Sequence, residues 1–193
     1  VTISTSQAAF MQASELVELG RTEMNDLQEL LDREAIRDCL FRYCRGVDRG
    51  DEAALRGAYW PDATDNHGAY SGSATGFVDF AMRAIAATEP GIHQMHNILI
   101  DFQDAGALVE TYFSAWQQLP GPSGFFRAHQ KGRYVDWFEK RDGMWKIKNR
   151  KVVFDWTEVM PEPDGTREER FARAQPMGLH HPNDIVYQSS HKR

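Results

Sequence analysis

The sequence is poor in cysteine. Its two residues, Cys39 and Cys44, sit on one predicted helix and face different sides of it, a placement poorly suited to a bridge. Reduced thiols, and an N-terminus with neither a basic start nor an apolar core, lead to an expectation of the cytoplasm. No run approaches the roughly 20 apolar residues of a membrane span. Positive charge is also short: the net charge is −6, so neither nucleic acid nor an anionic membrane is expected as a general partner. The run Lys146–Lys151 is basic, but it has no stacking platform beside it and is expected at a strand edge or on both strand faces. Glycine-rich phosphate loops, nucleophile elbows, Cys–His constellations, repeats and low-complexity tracts are missing too.

What is present is an ordinary globular composition, 41% hydrophobic and 26% charged, in a chain long enough for one sizeable core. The chain is organised around LLDREAIRDCLFRYCRGVDRGD, Leu30 to Asp51. Leu27, Leu30, Leu31, Cys39, Leu40, Tyr43, Cys44 and Val47 recur at helical spacing, which predicts one buried side, with Gly50 as the stop. Asp48 ends this helix. A carboxylate there meets the negative end of the helix dipole and calls for a cationic partner, and GIHQMHN, with His93 and His96, is the best downstream candidate.

The helix is expected to begin near Asn25, after a loose stretch over residues 1–13 and a short helix from Ser14 to Leu19 stopped by Gly20. Asp51 is placed to cap a third helix. WPDATDNHGAYSG reads as turns around at most one short strand. Ser73 or Thr75 can start a further helix with Phe77, Phe80, Ala81, Ala84 and Ile85 on one side, ended by Pro90-Gly91. Beyond residue 91, four aromatic and β-branched segments separated by DAG, PGPSG and RDG predict four strands joined mostly by hairpins. Helices first and a meander afterwards give an α+β class: a curved antiparallel sheet wrapped around N-terminal helices as an open cone. The expected organisation is an extension over residues 1–24, a cone domain over 25–158 and a C-terminal arm over 159–193, with one short helix near Arg167–Arg173. Met177, Leu179, Ile185, Val186 and Tyr187 would seat the arm on the cone or on a neighbour.

RYCRGVDRGD, YWPDATDNHGAYSG, IHQMHNILI and WFEKRDGMWKIKNRKVVFDW, in that order, resemble the SnoaL-like group of the nuclear-transport-factor-like, cystatin-like cone superfamily. That group includes scytalone dehydratase, bile acid 7α-dehydratase and hexachlorocyclohexane dehydrochlorinase. The resemblance implies an Asp–His catalytic pair at Asp48 and His93, a substrate-side tyrosine at Tyr43, and a homo-oligomer, a trimer first and a dimer next. It does not extend to the second strand histidine of scytalone dehydratase, since VETYFSAWQQL has none.

A carboxylate accepting the Nδ1–H of histidine fixes the ring tautomer and leaves Nε2 as a general base, with no cofactor required. Strand alternation puts His93, Met95 and Asn97 on one side and His96 on the other, so only a bulge would bring both histidines into one pocket. Tyr59, His96, Asn97, Trp116 and Arg127 are the candidate substrate contacts. Arg127 could meet a phenolate or carboxylate, or lie on a solvated edge. Asp65-Asn66-His67 could line the cone mouth or hold a metal, but Asp-x-His is a weak signature when zinc takes three or four protein ligands, and no metal is expected. The expected function is a cofactor-independent lyase, by dehydration or retro-aldol cleavage, on a hydroxylated cyclic or aromatic small molecule. The rival is a non-catalytic binding or accessory module, like the β subunit of ring-hydroxylating oxygenases. An open pocket around a bonded Asp48–His93 pair would favour the first; a cone filled by its own aromatic residues would favour the second.

Overall fold

The structure, a computed structural model, describes residues 5–122 and 124–188, with side chains from residue 24 onward. The helix α1 runs unbroken from Thr5 to Arg49. The expected break at Gly20 is therefore absent, as is the loose stretch over those residues of 1–13 that are described. One glycine inside a long helix is a penalty of about 1 kcal/mol, too small to end it. Gly50, at φ 64°, does end it. The buried side of α1 begins later than its apolar period suggests. Ile36, Leu40, Tyr43 and Cys44 are buried, whereas Leu27, Leu30 and Leu31 are more than half exposed.

The short helix α2 (Glu52–Gly57) is capped by Asp51, whose carboxylate accepts the Ala54 N–H at 3.0 Å. It lies close against α1 because a Cβ at Gly46 would stand 2.7 Å from the Leu55 backbone nitrogen. Then come β1 (Tyr59–Asn66), β2 (Ser71–Ser73) and α3 (Ala74–Ile85), which Ser73 caps through the Gly76 N–H. The long strands β3 (Ile92–Gln103), β4 (Gly106–Gly121), β5 (Gly124–Arg141) and β6 (Met144–Pro161) follow as a meander. All lie in one curved, unclosed sheet of order β2-β1-β6-β5-β4-β3. The fold class is α+β, a cystatin-like cone.

The segment expected to hold at most one short strand holds two. β1 pairs in parallel with β6, while every other pairing is antiparallel. The alternation on β5 buries Ala128, Gly132, Tyr134, Asp136 and Phe138 on the concave face, against Ile36, Leu40 and Tyr43 of α1. In the arm, α4 (Arg167–Phe171) is the expected short helix, closed by a Thr166–Glu169 capping box, and α5 (Ile185–Gln188) follows. The arm is held by polar contacts. Arg49 lies 3.4 Å from Asp184, and its carbonyl accepts the His181 N–H at 2.6 Å. Arg167 and Arg170 both pair with Glu89. Of the apolar residues expected to seat it, Met177 and Tyr187 are half-buried, while Leu179, Ile185 and Val186 stay exposed. Among the described residues no helix is long and apolar enough to cross a membrane.

Candidate active site

The last turns of α1 deliver Tyr43, Val47 and Asp48 to the open end of the cone. The buried Asp48 uses both oxygens on one residue of β3. Oδ1 lies 2.6 Å from His93 Nδ1, and Oδ2 accepts the His93 backbone N–H at 3.0 Å. Two donors thus meet a carboxylate that the helix end alone would disfavour. The same clamp fixes both position and tautomer of the imidazole, because the donor at Nδ1 leaves Nε2 as acceptor. His93 faces a cavity of about 480 Å³ with a largely aromatic wall that includes Phe77, Phe80, Phe113, Phe126 and Phe154. Tyr43 lines it as well, and burial pushes its phenol above the ordinary value, so the hydroxyl stays protonated. Gln117 and Gln130 are polar wall residues bonded to each other at 3.2 Å.

Beneath the wall lies a group that the sequence pattern did not reveal. The Arg150 guanidinium sits 4.1 Å from the ring centroids of both Tyr43 and Tyr134 and binds Asp136 through two hydrogen bonds of 2.8 and 2.6 Å. Both charged side chains are fully buried. The basic run that holds Arg150 is expected at a strand edge or on both strand faces, with no buried ion pair foreseen. The register shift between Trp137 and Phe138 leaves Lys148 without an opposite residue, which advances the phase of β6 and turns Arg150 inward.

None of the five expected substrate contacts lines the cavity. A bulge opposes His96 and Asn97 to the single residue Tyr112, so Met95 and Ile98 point inward and both bulge residues are exposed. His96 bonds Ser114 at 2.8 Å, and Asn97 is not on the His93 side. Trp116 alternates out of the cone and stacks on His129 with centroids 3.7 Å apart. Arg127 is engaged by Glu89 at 2.7 Å and Glu162 at 3.4 Å. Tyr59 is buried beside the cavity rather than on its wall, and its hydroxyl donates to Asp65 at 2.6 Å. His67, by contrast, does line the cavity, stacked on Phe77 at 4.6 Å. Among the described residues no three His, Cys, Asp or Glu side chains converge to hold a metal ion.

A model of the SnoaL-like domain matches residues 28–151. The chain belongs to the SnoaL-like family. Solved structures share the fold. A type 2 hexachlorocyclohexane dehydrochlorinase (LinA) superposes with a TM-score of 0.64 at 21% identity, over 73% of this chain and 97% of that one. A scytalone dehydratase-like protein from Novosphingobium aromaticivorans gives 0.60 at 21% identity, over 72% and 97%. A cystatin-like fold protein from Nostoc punctiforme gives 0.54 at 16% identity, over 65% and 92%. No curated protein matches the chain. At these identities the likeness is one of fold, and the SnoaL-like cone leaves its chemistry to the residues that line it.

Proposed function

We propose that this SnoaL-like protein is a cofactor-independent lyase acting on a hydroxylated cyclic or aromatic small molecule. One observation carries the reading: the 2.6 Å contact of Asp48 with His93 Nδ1 at the wall of an open, largely apolar cavity. His93 Nε2 removes a proton from carbon next to a carbonyl or ring. The electron pair forms the new double bond as the carbon–oxygen bond breaks. Tyr43 hydrogen-bonds the departing oxygen, and the proton on His93 passes to it, so that water leaves. Asp48 stabilises the imidazolium between these steps. The same base would serve a retro-aldol cleavage by taking a hydroxyl proton instead. The flat wall suits a ring system, and dehydrochlorinase and dehydratase-like names among proteins of this fold agree with elimination chemistry. An accessory module calls for a cone packed with its own side chains, and a cavity of about 480 Å³ speaks against that form of the rival, whereas a non-catalytic ligand binder is told from a lyase by turnover. Incubating the protein with cyclic and aromatic alcohols and following loss of water by mass spectrometry tests the reading. Dehydration that Asp48→Asn abolishes supports it. Dehydration by Asp48→Asn at the parent rate counts against it.

A further inference from the structure

His67 arrives at the cavity from the opposite edge of the sheet to His93. It follows β1, next to the edge strand β2, whereas His93 stands at the start of the other edge strand, β3. Curling of the sheet brings both imidazoles to one cavity. The two are held alike. Asp65, fully buried, lies with Oδ1 3.2 Å from His67 Nδ1, and its Oδ2 accepts the Tyr59 hydroxyl at 2.6 Å. The Tyr59–Asp65 pair therefore locks the His67 tautomer as Asp48 locks that of His93, and stacking on Phe77 fixes the ring. Among the described residues no protein group meets His67 Nε2.

We propose that His67 is a second hydrogen-bond acceptor of the cavity, so that the site selects ring compounds bearing a second hydroxyl group. Burial, ahead of the opposing pull of Asp65, holds the imidazole below its ordinary value, and the Arg150 charge adds to that, so the ring is neutral at neutral pH. A neutral ring anchored through Nδ1 accepts at Nε2 and cannot donate there. The surroundings make this acceptor selective. The wall near it is aromatic, and the Gln117 amide donates to Gln130. A ligand without a second hydroxyl leaves a desolvated nitrogen unpaired, and one with it gains the bond. The inference rests on the cavity being the substrate site proposed above.

The test is calorimetric binding of β-naphthol and of the naphthalenediol with hydroxyls at opposite ends of the ring pair, which needs no turnover. The parent should bind the diol about 3–10-fold more tightly, the size of one neutral hydrogen bond. His67→Phe should abolish that preference while β-naphthol still binds, since the acceptor is lost, together with the Asp65 contact, and the apolar wall is kept. His67→Gln, which keeps an acceptor, should retain part of the preference. Should His67→Phe misfold, His67→Val, smaller than the imidazole, carries the same decision. A preference that survives removal of the acceptor overturns the proposal. Binding of β-naphthol by the parent with no gain for the diol also overturns it and leaves the cavity reading intact. Binding of neither overturns both.

Discussion

Replacing Asp136 with asparagine removes the only carboxylate hydrogen-bonded to Arg150 among the described residues. In the parent the two side chains are fully buried and joined at 2.8 and 2.6 Å. Asparagine keeps the shape but not the charge, so a guanidinium is left uncompensated between the Tyr43 and Tyr134 rings. Breaking one half of a buried pair in this way typically costs about 3–5 kcal/mol. A domain of this size loses roughly 2–4 °C of melting temperature per kcal/mol, which makes the expected fall roughly 6–20 °C. Urea denaturation and differential scanning calorimetry measure it, and an unchanged urea m-value would show that the loss is one of stability. The double change Asp136→Leu with Arg150→Met removes both charges and should recover most of the stability, because a dry apolar pair has nothing left to compensate. A loss under about 1 kcal/mol for Asp136→Asn would refute the reasoning, since it would mean that water reaches the guanidinium.

Gly46→Ala should destabilise by about 1–3 kcal/mol in urea, because its methyl meets the Leu55 backbone at 2.7–2.8 Å and α2 must shift; an unchanged midpoint would contradict that contact. Asp184 holds the arm. The Leu179 and Val186 N–H groups, with Arg49 behind them, keep its carboxyl below the ordinary value, so this contribution is present above the unfolded carboxylate value of about 3.9 and is lost as pH falls through the folded one. Asp184→Ala should therefore loosen the arm at neutral pH as acid does in the parent, read as faster amide exchange over residues 177–188; unchanged exchange would count against the anchor. We also expect a homo-oligomer, since Tyr112 and Trp116 stand exposed on the convex face of the sheet; the SnoaL-like resemblance implies a trimer first and a dimer next. Light scattering at the monomer mass across micromolar concentrations would refute it.

Local chemistry made much of this legible before the structure. Asp51 and Ser73 are capping residues in front of helical runs, and DAG, PGPSG and RDG punctuate a meander, so the helices and long strands could be placed from the sequence. The Asp48–His93 pairing was legible in two steps: a carboxylate at a helix end needs a donor, which pointed to His93 or His96 in GIHQMHN, and the SnoaL-like resemblance singled out His93. What escaped were effects that one residue of backbone decides. The bulge at His96–Asn97 reverses the facing of Asn97, and that at Lys148 reverses Arg150; period-two counting cannot see an inserted residue. Counting from the inward-facing Phe113 would have turned Trp116 outward. Proline and four polar residues make YWPDATDN read as turns around at most one short strand, while the pairing of β1 with β6 is parallel and joins distant parts of the chain. His67 was visible as Asp-x-His, but only the curl of the sheet brings it to the wall that His93 lines.

In the proposed reaction His93 is the base and Asp48 its partner. Turnover of His93→Ala, Asp48→Asn and the double variant, on the first alcohol that the parent dehydrates, tests it most directly. The account predicts a fall of about 10²–10⁴-fold for His93→Ala at an unchanged melting temperature. It predicts nearly as much for Asp48→Asn, and little further loss in the double variant because the two act as one unit. Turnover by His93→Ala at the parent rate would contradict it.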